Sequence, residues 1–260
     1  MLVAIDIGNT HTVVGLFNGR ELLYHWRIMS DLTRTEDEIG AMLLYLFEQQ
    51  GYSASQVDGV CISSVVPDIT PIYQMMSKRY FQSSPLIIHA GLKLDLVLKY
   101  QEPNSIGADR LCNAVAGIEK YGVPLIIIDF GTATTFDCIT RNGEYLGGMI
   151  APGIQAAFDS LHQKTAKLPR VESRFPANII GRTTEESIQS GIMRGSVHLV
   201  EGLISEIKGE LGSESRVIAT GGLAGKIAER ASSINKVDYY LSLEGIVSIY
   251  YKNITGETIH

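Results

Sequence analysis

Cysteine, tryptophan and charge are all scarce in this chain. Its three cysteines, Cys61, Cys112 and Cys138, lie far apart along 260 residues. With no Cys-x-x-Cys and no Cys/His ligand spacing, they argue against a disulfide framework and against a zinc site. The histidines (11, 25, 89, 162, 198 and 260) show no ligand spacing either. Charged residues make up only 19% and apolar residues 45%, a core-rich globular composition rather than a disordered one. The longest apolar run, around Leu125–Ile128, is far short of the ~20 residues a membrane helix needs. The opening MLVAIDIGNT has no basic segment and carries Asp6, so it does not read as a signal peptide. A soluble, cytoplasmic protein with no membrane partner is expected.

There is no excess of positive charge. Twenty-two basic and 28 acidic side chains give a net charge of −6, which argues against a nucleic-acid partner and leaves room for a local pocket for a small anion. The common phosphate loops are missing as well. GGLAGK at 221–226 lacks the P-loop spacing and the hydroxyl after Lys226, and no G-x-G-x-x-G or serine-hydrolase elbow occurs.

What is present is an alternation of strand and helix patterns, the signature of an α/β protein. Strands are expected at 2–8, 11–17 and 21–28, with Asn18-Gly19 as a hairpin turn. A helix at 35–50 starts at a Thr35/Glu38 capping box. Strand 57–64, helix 69–81, strand 85–89 and helix 107–120 follow. The second half begins like the first, with strands at 124–130 and 133–140. Helices are expected at 154–164, 184–211, 222–231 and 243–252, and a strand at 215–219. IDIGNTHT (5–12) and IDFGTATT (128–135) share Ile, Asp, Gly and the last Thr at an offset of 129 − 6 = 123 residues. The repeat points to a duplicated lobe, 1–121 and 122–260, with a cleft between the two that the resemblance given below would make a nucleotide cleft.

Four constellations could carry chemistry. In Asp6-Ile7-Gly8-Asn9-Thr10 the glycine permits a tight turn whose amides approach an anion, and Asp6 would organise Mg²⁺. A polar hairpin whose Asp satisfies turn amides explains the same residues. Asp129-Phe130-Gly131-Thr132-Ala133-Thr134-Thr135 has the same shape, although threonines are ordinary strand residues. Thr220-Gly221-Gly222 closes a strand, as a ligand-facing turn or as plain punctuation. In Gly107-Ala108-Asp109-Arg110, Asp109 reads either as a base taking a hydroxyl proton beside an anion clamp or as first-turn helix charge. Tyr100 reads as a packing residue, and Thr183 with Glu186 as a capping box beside Thr184.

Together these segments resemble the type III pantothenate kinases, within the acetate kinase–sugar kinase–Hsp70–actin superfamily. DIGNTHTVVG (6–15), GADR (107–110), DFGTATTFD (129–137), GGMIAPG (147–153), GRTT (181–184) and TGG (220–222) stand in that family's order across most of the chain. The resemblance implies a two-lobed, duplicated ribonuclease H-like (actin-like ATPase) fold. It also implies transfer of the ATP γ-phosphoryl group to pantothenate, the first step of coenzyme A biosynthesis. Asp6, Ile7, Gly8, Asn9, Thr10, His11, Thr12, Val13 and Thr132 would bind ATP, with Mg²⁺ near Asp6. Tyr100, Gly107, Ala108, Asp109, Arg110 and Thr184 would bind pantothenate, with Asp109 as catalytic base. Asp129 would bind a monovalent cation, potassium or ammonium. A homodimer is implied, with the acceptor site near its interface. From the residues alone, another small-molecule kinase of the superfamily and a regulatory relative also fit.

Overall fold

The first strands form where β-branched and apolar residues run together between turn residues. In the computed structural model, which describes residues 1–254, they are β1 (Leu2–Ile7), β2 (His11–Asn18) and β3 (Glu21–Met29). Next come α1 (Glu36–Glu48), β4 (Gly59–Ser64), α2 (Thr70–Tyr80) and β5 (Leu86–Ile87). Thr35 and Glu38 close the expected capping box, Thr35 Oγ1 accepting from the Glu38 amide and Glu38 from the Thr35 amide.

The chain continues through β6 (Val97–Leu98), α3 (Ala108–Tyr121), β7 (Leu125–Phe130), β8 (Ala133–Ile139) and β9 (Glu144–Pro152). It ends with α4 (Ile154–Lys164), α5 (Thr184–Gln189), α6 (Gly195–Leu211), β10 (Arg216–Thr220), α7 (Ala224–Ala228), β11 (Lys236–Val237) and α8 (Leu241–Ile254). The single helix expected at 184–211 is interrupted: Ser190–Arg194 winds as a π-helix between α5 and α6. Strand β9 was not expected, because two glycines and a proline weaken its sequence signal.

Two compact units emerge. The first holds residues 1–96, 101–116 and the described part of 241–260. Its sheet has the order β3-β2-β1-β4-β5, with β4 parallel to β1 and β2 antiparallel to it. Val3, Ile5 and Ile7 pack with Leu43 and Phe47 of α1 and Met76 of α2. The opposite face of β1 and β2 receives α8, where a β-carbon on Gly15 would meet Leu243 Cδ1 at 3.1 Å. Cover on both faces is why β1 is apolar nearly throughout.

The second unit holds residues 97–100 and 117–240. Its sheet has the order β11-β10-β7-β8-β9-β6. Read from β9 to β11 this repeats the order of the first sheet, with β6 added at the edge. The duplication is therefore one of topology and not only of a motif. Ile126, Ile128 and Phe136 pack there against Phe158 of α4 and Val200 and Ile204 of α6.

Contacts group the residues along other lines than the expected lobes 1–121 and 122–260: the chain passes from one compact unit to the other within α3, and α8 packs with the first. The cause is packing: Gly245 of α8 lets the helix approach the Cys112 carbonyl, and Gly59 of β4 leaves room for Tyr250. The repeat alignment also slips. Asp6 pairs with Val13, but Asp129 pairs with Thr135. The second turn is one residue shorter, so Thr12 corresponds to Thr134 rather than Thr135. Both are buried, at 0% and 4% exposure.

Candidate active site

In the first unit the β1–β2 turn closes on itself, the Gly8 amide donating to the His11 carbonyl at 3.1 Å. Asp6 precedes it, half-buried, one strand from Ser63 in the parallel register of β1 and β4. The Ser63 hydroxyl, fully buried, donates to Asp6 Oδ1 at 2.9 Å. That bond fixes the orientation of the carboxylate. His11 begins β2 and lies 2.8 Å through Nδ1 from Arg27 Nη2 on β3. Burial and then the Arg27 charge hold the His11 pKa below the ordinary histidine value. A neutral ring accepts a hydrogen bond from the guanidinium at Nδ1, and Arg27 keeps its positive charge beside the turn.

Asp109 lies in the first turn of α3. Its Oδ1 accepts the Arg110 amide at 2.8 Å. Burial raises the Asp109 pKa, and the Arg110 amide and charge only partly oppose it. Arg110 itself is buried, at 7% exposure. One helical turn on, the Cys112 thiol is held far above its usual pKa by burial first, and then by the charges of Asp6, Cys61 and Asp109. Gly107 lies against Val65, whose amide donates to the Ile7 carbonyl at 3.1 Å, so Asp109 and Asp6 stand at the same end of the first sheet. Sequence spacing, with 102 residues between them, could not place them together. The structure does.

The remaining candidates belong to the second unit. Asp129 ends β7 opposite Thr220 of β10. Gly221 has φ +90°, and a β-carbon there would lie 2.5 Å from Asp129 Oδ1 and 2.7 Å from the Phe130 carbonyl oxygen. Only glycine leaves that space open. Thr132 is exposed in the β7–β8 turn, with Thr134 buried beyond it. The Tyr100 ring lies over Gly147 (φ +107°), whose β-carbon would meet it at 2.7 Å, and edge-on to Tyr145 at 6.4 Å. Tyr145 is fully buried and donates to Asp137 Oδ1 at 2.5 Å. Thr184 is exposed at the start of α5. Thr183 caps that helix by accepting the Glu186 amide at 3.1 Å, but the Glu186 carboxylate takes the Arg182 amide instead of completing the box.

A sequence model of one family, type III pantothenate kinase, matches residues 2–206. Among curated relatives, the type III pantothenate kinase of Myxococcus xanthus is 45% identical over 253 residues, covering 97% of this chain and 99% of its own. That of Moorella thermoacetica is 46% identical and covers 97% and 100%. The chain belongs to the type III pantothenate kinase family.

The pantothenate-kinase chain is accordingly an ATP-dependent kinase, and its ATP is used with Mg²⁺. Among solved structures it resembles a Campylobacter jejuni protein assigned to the Baf family of transcriptional activators, with TM-score 0.63 and 16% identity, covering 97% of this chain and 99% of that one. It also resembles the ethanolamine utilization protein EutJ of Carboxydothermus hydrogenoformans, with TM-score 0.55 and 11% identity, covering 94% and 88%. At such identities the likeness is one of fold, a duplicated ribonuclease H-like α/β architecture. Within this kinase, motif spacing missed Ser63, a lone strand serine whose role follows only from the β1–β4 register. Among the described residues no helix is long and apolar enough to cross a membrane.

Proposed function

We propose that this chain transfers the γ-phosphoryl group of ATP to the primary hydroxyl of pantothenate, giving 4′-phosphopantothenate, with Asp109 as base. The observation that carries the reading is that Gly107 lies against Val65, whose amide donates to the Ile7 carbonyl at 3.1 Å, which brings Asp109 to the turn that Asp6 opens. One carboxylate then stands beside a phosphate-type turn and a second, buried one on the same unit. Phosphoryl transfer asks chiefly for positioning and charge neutralisation. The Asn9 amide in the turn and the Arg27 charge supply part of that neutralisation. Asp109, its pKa raised by burial, is suited to orient the hydroxyl and take its proton. Tyr100, Gly107, Ala108, Arg110 and Thr184 complete the acceptor contacts in this proposal. Asp6, Ile7, Gly8, Asn9, Thr10, His11, Thr12, Val13 and Thr132 form the nucleotide contacts.

Among the described residues no cluster of His, Cys, Asp and Glu could cage a divalent ion. That fits Mg²⁺ entering with the triphosphate and taking one carboxylate, Asp6. For the monovalent cation, the donors around Gly221 are the Asp129 carboxylate and the Phe130 carbonyl, hard oxygens that suit potassium or ammonium. Such a cation would neutralise phosphate charge there. We further infer a homodimer. Ile179 and Ile180 are 63% and 79% exposed, and nothing lies within 4 Å of a β-carbon built on Gly191, Gly195 or Gly202. A stable monomer in sedimentation at micromolar concentration would exclude it. A cytoplasmic location accords with three buried free thiols.

The direct test is product analysis by mass spectrometry and phosphorus NMR after incubation with Mg-ATP and pantothenate. A phosphomonoester on the primary hydroxyl supports the reading. Phosphorylation of a sugar but not of pantothenate overturns it.

A further inference from the structure

Ser30, the residue after β3, makes two hydrogen bonds to the β1–β2 turn and a third to Thr12 of β2. Its amide donates to the Thr10 carbonyl at 3.1 Å. Its hydroxyl donates to the Gly8 carbonyl at 2.6 Å and lies 2.9 Å from Thr12 Oγ1. A hydroxyl carries one proton, and Ser30 gives its own to a carbonyl that can only accept, so Thr12 must be the donor to Ser30. Thr12 is fully buried, so no solvent competes for that bond. The chain runs one way, from Thr12 through Ser30 to Gly8, and each bond polarises the next.

The second unit supplies an internal comparison. His11 pairs with Met29 in the first sheet, and Ala133 with Pro152 in the second. The counterpart of Ser30 is therefore Gly153. A β-carbon there would come within 2.2 Å of the Thr132 carbonyl oxygen and 2.8 Å of that of Gly131. The shorter second turn closes on a bare glycine, with no room for a hydroxyl. The clamp is a property of the first turn, not a requirement of the fold.

We propose that Ser30, backed by Thr12, is the positioning residue that holds the first turn in its phosphate-binding shape and so sets the affinity for ATP. The Gly8 and Thr10 carbonyls, which would repel a polyphosphate, are both engaged by Ser30, leaving the Asn9 amide to meet the anion. This rests on the reading of that turn as the triphosphate site.

The test compares Ser30→Ala, Ser30→Thr and Ser30→Cys with the parent enzyme, with Asp6→Asn in parallel. Steady-state constants are measured for both substrates, and thermal unfolding checks folding. Removing one hydrogen bond predicts an ATP KM raised about 3- to 10-fold in Ser30→Ala. kcat and the pantothenate KM should stay within about twofold, and Ser30→Thr should restore the ATP KM. Ser30→Cys, whose thiol is a weak donor, should raise it in the same sense by less. An unchanged ATP KM in folded Ser30→Ala, while Asp6→Asn loses turnover, overturns the positioning role and leaves the turn's assignment standing. If neither variant alters ATP kinetics, the assignment of the turn falls and the proposal with it. Should Ser30→Ala not fold, Ser30→Cys decides by the same criterion, an unchanged ATP KM overturning the proposal.

Discussion

A β-carbon on Gly107 would lie 2.5 Å from Asp109 Oδ1 and 3.3 Å from Val65 Cγ1. The glycine is the space that the carboxylate occupies. Gly107→Ala must displace Asp109 while leaving its chemistry intact. We expect kcat/KM for pantothenate to fall at least about 10-fold, since small misplacements at a reacting centre are costly. The ATP KM should change little. Unaltered kinetics in a folded Gly107→Ala would remove Asp109 from the reaction.

The raised Asp109 pKa gives two linked outcomes. A base must be ionised, so kcat/KM should fall on the acid side through a pKa above that of an ordinary carboxylate. Asp109→Asn should lower turnover about 10²–10⁴-fold. Stability moves the other way. A carboxyl whose folded pKa is raised stabilises the fold below its unfolded pKa and loses that contribution as pH rises through the folded value. At neutral pH the ionised Asp109 is therefore a cost, and Asp109→Asn should raise Tm there, the gain vanishing in acid. A lower Tm at neutral pH would contradict the assigned burial.

Much of this was legible beforehand. The two Asp-x-Gly turns, the Thr35 box and most strands follow from local chemistry. Ser63 and Ser30 were not legible, because a lone serine gains meaning only once strand register sets it beside Asp6 or Gly8. Strand β9 was missed for a related reason. Gly148 suits it because a β-carbon there would lie 1.7 Å from the Phe136 carbonyl oxygen, a close approach that local propensity does not register. The one-residue slip of the repeat likewise needed the pairing of Asp129 with Thr135. Nothing in 184–211 marks the π-helical break, which becomes visible only in the backbone bonding.

Gly221 tests the cation proposal. Its φ of +90° and its contact with Asp129 Oδ1 both disfavour a side chain. Gly221→Ala should lose more than about 1 kcal/mol of stability. Activity that remains should no longer distinguish potassium from sodium. Retained potassium preference would place the cation elsewhere.

Tyr145 and Asp137 separate stability from catalysis. Tyr145→Phe keeps the ring that meets Tyr100 but removes the donor to Asp137 Oδ1. Denaturant unfolding should show a loss of about 1–3 kcal/mol. Pantothenate kinetics should hold at moderate temperature, and a rise in the pantothenate KM as large as that of Tyr100→Ala would show that the hydroxyl acts on the acceptor.

The most direct measurement is ADP release from Mg-ATP with and without pantothenate, in potassium and then in sodium buffer. The account predicts turnover that requires pantothenate and falls in sodium. ADP release indifferent to pantothenate, or none from folded protein in either salt, would contradict it.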